Sequence, residues 1–291
     1  MKALKLTQTE NQEKEEIFLD RLNRPETIEG SLGEIDVIDI EPYSRKSQVP
    51  VLFVGGWSES PKSLTEAIKE ANLSGYRTIA FSTEPKPVEP MQNIGKYQSA
   101  RAVALLDVID NRGLDRVDVI AHSQGAINAI AAAAVEPEKF RNIVLIAPAG
   151  MIGQDSKSAL IGRFGKKLAR DYREMLYIPE IRRTQIEGTK YLLKHNLEAV
   201  REALELASAR IDDSLDYLKK KGVRVSIIQS HSDTVFPADR IEENVDLSDY
   251  GYNVAAYASI ADRKAGHDRL IKKHAISAGK AALQMIEQFN D

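Results

Sequence analysis

The chain contains no cysteine. That excludes disulfides, thiolate nucleophiles and cysteine-held metal sites together, and it fits a cytosolic protein. A charge excess is missing as well. Forty Lys and Arg against 43 Asp and Glu leave a net charge of −3 over 291 residues, which gives no electrostatic reason to expect nucleic acid or an anionic membrane as partner. Lys166-Lys167 and Lys219-Lys220-Lys221 read as solvated helix ends. No apolar run approaches the roughly 20 residues of a membrane span. Met1 to Glu16 is polar throughout, without the apolar centre of a signal peptide. The expectation is a soluble, cytoplasmic globular protein, either one large α/β domain with an insertion or two small domains. A core of this size needs no covalent staples.

What is present centres on Val117-Asp118-Val119-Ile120-Ala121-His122-Ser123-Gln124-Gly125-Ala126. A buried-strand pattern runs into the helix formers of Ala126 to Ala134 with almost no connector. The middle residue must then occupy a tight, strained turn that lifts its side chain clear of both elements. Ala121 and Gly125 are small where strand and helix backbones pass closely. Taken alone, the stretch is equally a βα turn with an incidental serine or a turn that presents a nucleophile.

The rest of the chain sets its context. Residues 1–30 read as a polar extension with one apolar patch at Ile17, Phe18, Leu19 and Leu22, either a docked helix or a disordered tail. Ile35 to Ile40 alternates apolar and acidic residues, as a half-exposed strand near a sheet edge does. Val49 to Val54 reads as a strand covered on both faces. It ends in Gly55-Gly56-Trp57-Ser58, where no G-x-G-x-x-G and no Walker lysine point to a phosphate cradle. Arg77 to Phe81 predicts the next strand, before a loop with Pro85, Pro87 and Pro90. From Ile94 to Ile109, Tyr97, Ala100, Ala104, Leu105 and Val108 share one helical face. Another buried strand covers Ile143 to Ile146. Such alternation predicts a mostly parallel sheet with helices on both faces, an α/β fold.

Between Met151 and Lys221 the strands stop. Leu193, Leu197, Val200, Leu204, Ala207, Ile211, Leu215 and Leu218 follow steps of three or four, a helical stripe interrupted near Asp212-Asp213. Residues 151–221 therefore read as a helical cap inserted into a core of residues 31–150 and 222–291. Val223 to Ile228 and Tyr252 to Tyr257 predict the last strands. A closing helix from about Asp268 to Phe289 would turn Leu270, Ile271, Ala278, Met285 and Ile286 inward.

Ser123, Asp233 and His267 each fall just beyond the carboxyl end of a different predicted strand, the edge where open α/β sheets bind ligands. Their chain order is serine, acid, histidine, the order that accompanies a nucleophile elbow. On these motifs the chain resembles the α/β-hydrolase superfamily over about residues 31–290. Ala121-His122-Ser123-Gln124-Gly125 is similar to the elbow in its Ala-x-Ser-x-Gly variant, and Gly55-Gly56-Trp57 to the oxyanion turn after the third strand. Ser232-Asp233-Thr234-Val235-Phe236-Pro237 and Gly266-His267 are similar to the acid and histidine loops. Ala121 replaces the usual first glycine of the elbow, and Gly55 stands where many relatives carry histidine.

The resemblance implies a serine nucleophile at Ser123 with His267 as its base and Asp233 orienting the imidazole. The backbone N–H groups of Trp57 and Gln124 would hold the oxyanion. It implies a carboxylesterase or a monoacylglycerol-lipase-like enzyme acting on a small-molecule acyl substrate, with no cofactor and no metal. The other readings of the set are an acyltransferase, an aminopeptidase using cap acids such as Glu174, Glu180 and Glu187, and a non-catalytic ligand receptor. Among rival residues, His122 is expected to fill space at the elbow, His195 to be solvated, and His274 to be packed or exposed. Asp239 and Asp262 are alternative acids, Asp268 reads as a helix cap, and His231-x-Asp233 lacks the further ligands a metal would need. Monomer and homodimer both remain open.

Overall fold

A computed structural model describes residues 8–84, 86–91, 93–153, 155–177, 179–245, 253–261, 266–267, 270 and 275–289. Pro85, Tyr252, Asp262, Asp268, Ile271 and His274 lie outside the described residues, as do residues 1–7 and the side chain of Glu180. Eight strands form one sheet: β1 (Glu26–Gly30), β2 (Gly33–Ile40), β3 (Val51–Val54), β4 (Thr78–Thr83), β5 (Val117–His122), β6 (Phe140–Ile146), β7 (Arg224–Ser230) and β8 (Ala256–Ile260). The described helices are α1 (Gln8–Asn23), α2 (Thr65–Leu73), α3 (Lys96–Asn111), α4 (Gln124–Val135), α5 (Lys157–Glu174), α6 (Pro179–Glu205), α7 (Asp212–Lys220), α8 (Ala238–Glu242) and α9 (Ala275–Gln288).

The strand order is β1-β2-β4-β3-β5-β6-β7-β8. β2 runs antiparallel to both β1 and β4, and every pairing from β4 onward is parallel. The chain therefore leaves β3 toward β4 on one side and returns to β5 on the other. That reversal opens a crevice at the carboxyl ends of β3 and β5. β3 and β5 are buried along their whole length, as strands covered on both faces must be. One face carries the core of α3, α4 and α7, with Leu105, Ile127 and Leu215 fully buried. The other carries α1, α2 and α9, with Phe18, Ile68 and Ile286 in its core.

Three findings differ from the sequence reading. Residues 26–30 are not part of an appendage but the edge strand β1, paired with β2 from Glu26↔Val37 to Gly30↔Gly33. A five-residue strand flanked by charges carries too little apolar alternation to stand out. The last strand begins at Ala256, because Asn253–Ala255 bends before the parallel register with β7 starts at Ser226↔Ala256. The stripe on the inserted helices is not continuously buried: Leu193 and Leu197 are 73% and 69% exposed. Between them lies Asn196, whose φ of 44° and ψ of −118° interrupt α6, and Leu193 lines the cavity described below. Between β6 and β7 lie α5, α6 and α7 and no strand among the described residues, and α7 packs on α4 and β7. No described helix is long and apolar enough to cross a membrane.

Candidate active site

The turn between β5 and α4 has the strain its sequence demands. Ser123 has φ 55° and ψ −119°, a region L-residues rarely enter. The end of neighbouring β6 and the turn after it hold it there. The Ser123 N–H donates to Ile146 O at 3.0 Å, and the Ala149 N–H donates to Ser123 O at 3.1 Å. Gly125 is glycine for a steric reason, since a Cβ there would lie 2.3 Å from Val54 O and 2.7 Å from Gly55 O. Ala121 is fully buried under the turn.

Ser123, His267 and Asp233 come together at the crevice although 144 and 34 residues separate the successive partners. His267 Nδ1 lies 2.7 Å from Asp233 Oδ2 and His267 Nε2 lies 2.9 Å from Ser123 Oγ. A carboxylate only accepts, so Nδ1–H donates to Asp233 and leaves Nε2 to accept from the serine hydroxyl. Asp233 Oδ1 accepts from the Val235 and Phe236 N–H groups at 2.7 and 3.1 Å, which fixes the carboxylate plane. Phe236 packs its ring 5.2 Å from the imidazole. All three residues are buried to 5% exposure or less. The rival acid Asp239 is exposed in the first turn of α8, and His231 is exposed as well.

The turn Gly55-Gly56-Trp57 lies directly against the serine. A Cβ on Gly56 would sit 3.0 Å from Ser123 Cβ. The Gly56 N–H donates to Glu59 Oε2 at 2.7 Å, and the same oxygen lies 2.8 Å from His122 Nδ1. His122 is thus more than the space filler the sequence suggests. It ties the elbow to the Gly55–Glu59 turn, and its ring stands 5.1 Å from that of His267. Gln124 begins α4, where a first-turn N–H has no acceptor within the helix. Neither Glu59 nor its link to His122 could be read from the sequence, because only folding brings β3 and β5 together.

A cavity of about 710 Å³ opens above Ser123 and His267. Its walls are largely apolar, with Phe164 and Leu168 from α5 and Leu192, Val200 and Leu204 from α6, and Glu59 is its only acidic lining residue among the described residues. Trp57 stands at the cavity wall, edge-on to Phe164 and Tyr191, each with ring centroids 6.2 Å away. Of the cap acids with described side chains, Glu174 and Glu187 do not line it, and Glu187 accepts from Lys190 at 2.9 Å beside a second, polar cavity of about 730 Å³. Burial, then the charge of Lys194, draws the His195 imidazole below its ordinary value, and its ring lies 4.6 Å from Tyr191.

A strained serine between a parallel strand and a helix, at the reversal point of an eight-stranded sheet, decides the fold. The chain is an α/β-hydrolase-fold protein. A family model described as alpha/beta hydrolase fold matches residues 49–168, which spans the Gly55-Gly56-Trp57 turn, the elbow and the start of α5. Comparison with curated protein sequences finds no match. Among solved structures, the enol-lactonase from Burkholderia xenovorans LB400 is 13% identical with a TM-score of 0.67, covering 90% of this chain and 100% of its own. A thermophilic esterase from Thermogutta terrifontis is 17% identical with a TM-score of 0.66, covering 92% of this chain and 100% of its own. An esterase from Exiguobacterium antarcticum is 16% identical with a TM-score of 0.67, covering 91% and 100%. The α/β-hydrolase fold of this chain therefore extends well beyond the segment that sequence matching reaches.

Proposed function

We propose that this α/β-hydrolase-fold protein is a serine hydrolase of carboxylic esters that seats an apolar acyl group beneath a helical cap. The observation that carries the reading is the hydrogen-bonded chain Ser123–His267–Asp233 opening onto an apolar cavity of about 710 Å³. That volume is within the range of small-molecule sites. Ser123 Oγ attacks the ester carbonyl as His267 Nε2 takes its proton, and Asp233 stabilises the imidazolium that forms. The Trp57 and Gln124 N–H groups receive the oxyanion. Collapse of the tetrahedral species expels the alcohol, protonated by His267, and leaves an acyl group on Ser123. Water, deprotonated by His267, then attacks the acyl carbon and releases the acid. The esterase and lactonase names of the structural neighbours agree with this chemistry.

In this reading the cap consists of α5 and α6, residues 157–205, and α7 belongs with the sheet's own helical layer. Amine substrates are disfavoured, because Glu59 is held by the Gly56 N–H and His122 and no other described acid lines the cavity. The test is fluorophosphonate labelling with peptide mapping, joined to turnover of a panel of short and medium acyl esters. Labelling at Ser123 that disappears in His267→Ala, with acid released from at least one ester, is the expected result. Absence of both would sink the reading.

A further inference from the structure

One turn of α6 holds the side chains of both residues whose main-chain N–H groups are proposed to receive the oxyanion. The Trp57 indole Nε1–H donates to Ala199 O at 3.0 Å. Three residues later, Glu202 Oε1 accepts from the Gln124 side-chain amide at 2.8 Å. Glu202 is fully buried, although nothing in the sequence sets it apart from the other glutamates of α6. Its carboxylate also takes Arg101 Nε on Oε1 and the Tyr191 hydroxyl on Oε2, each at 2.5 Å. Arg101 Nη2 in turn donates to Tyr191 Oη at 2.8 Å. The segment is anchored to the core from below as well: Gln98 donates to Glu202 O at 3.1 Å, and the Tyr97 N–H donates to Glu205 Oε2 at 3.1 Å.

We propose that Glu202 is a positioning residue for the oxyanion site, acting through Gln124 directly and through Trp57 by way of the helical turn they share. The proposal rests on the ester-hydrolase reading above. An oxyanion donor works only when it lies about 2.7–3.1 Å from where the charge develops, so a shift of a few tenths of an ångström matters. Gln124 has a strained neighbour on one side and a helix on the other, and its side chain is the handle by which its backbone can be held. A buried Glu–Arg pair is a weak stabiliser, because desolvation offsets the attraction. What such a pair supplies here is a fixed point, with both carboxylate oxygens engaged and the amide of Gln124 drawn to one of them. Burial raises the Glu202 pKa and the Arg101 charge and the three donated hydrogen bonds more than reverse this, so the carboxyl stays ionised at neutral pH. The consequence is coupling. The seating of α6 over the cavity and the placement of the two oxyanion donors are thereby linked.

Three variants in the full chain test this: Glu202→Gln, Gln124→Leu, which keeps the backbone N–H but removes the handle, and the pair together. For each, kcat and KM are measured on one turned-over ester, with affinity for a trifluoromethyl ketone that forms a tetrahedral adduct on Ser123. Each single variant should lower kcat on the order of 10–100-fold, less than outright loss of a donor, with KM within about threefold. Ketone affinity should fall by the same factor as kcat. The double variant should be no worse than the weaker single, because both break one link. Unchanged kcat in both singles, a loss confined to KM or melting temperature, or multiplying losses in the double variant would overturn the proposal alone. A wild-type protein that neither hydrolyses esters nor takes a fluorophosphonate at Ser123 would overturn the hydrolase reading, and this one with it.

Discussion

At the residue scale, the site is built by conformations that cost free energy and by neighbours that hold them. Ser123 at φ 55° carries strain of about 1–3 kcal/mol, offset by the fully buried β5 and by the packing of α4. Replacing Ser123 with Ala should leave the fold intact and lower kcat on the order of 10⁶-fold, as measured on any ester the wild type turns over. Asp233→Asn should cost on the order of 10⁴-fold by presenting the wrong imidazole tautomer. Asp239→Asn should stay near wild type in the same assay, since Asp239 is exposed and the carboxylate on His267 Nδ1 is that of Asp233. Gly125→Ala tests the close approach. Its Cβ would press on the backbone oxygen of Val54, so melting should report a loss of about 1–3 kcal/mol. Activity should fall further than stability alone explains, because the displaced backbone carries Ser123 and Gln124.

At the scale of elements, α6 is the piece whose role changed most between sequence and structure. Its period of three and four predicts an amphipathic stripe, yet Leu193 and Leu197 on either side of the break at Asn196 are exposed, Leu193 at the cavity wall, while Ala199 and Glu202 are buried. The buried Glu202 makes the seating of α6 depend on pH. Its folded pKa lies below the ordinary 4.5, so its contribution to stability is fully present above that value and is lost as pH falls through the lower folded one. The difference in melting temperature between wild type and Glu202→Gln should therefore be largest near neutral pH and shrink below about pH 4. A difference that is constant across that range would contradict the ionised assignment. α1 offers the opposite case. Phe18 is 2% exposed in the core where α1 packs on β2 and the Pro61–Leu64 turn, on the sheet face opposite α3, α4 and α7. Phe18→Ala should destabilise by about 3–5 kcal/mol in denaturant titration while kcat/KM stays unchanged under native conditions.

At the scale of the whole molecule, the fold was legible because its signals are local. Runs such as Val49 to Val54 and Val117 to Ile120 are apolar on both faces, which only a sheet covered by helices on each side accommodates. The elbow was legible for the same reason, since strand, serine, glycine and helix are adjacent in the chain and their strain follows from adjacency. The order of Ser123, Asp233 and His267 along the chain supported their grouping, and the sheet edge brings them within hydrogen-bonding distance. Edge strand β1 and the start of β8 were not legible, because short, half-exposed strands owe their pairing to neighbours rather than to their own composition. The amino-acid sequence by itself determined the parallel architecture and the identity of the strained serine, both set by short-range sterics and by which side chains must leave water. Only the tertiary structure decided that Glu59 meets His122 and that Glu202 meets Gln124. A charged side chain in a helix or loop reads as solvated until a distant element removes the water and supplies its partner.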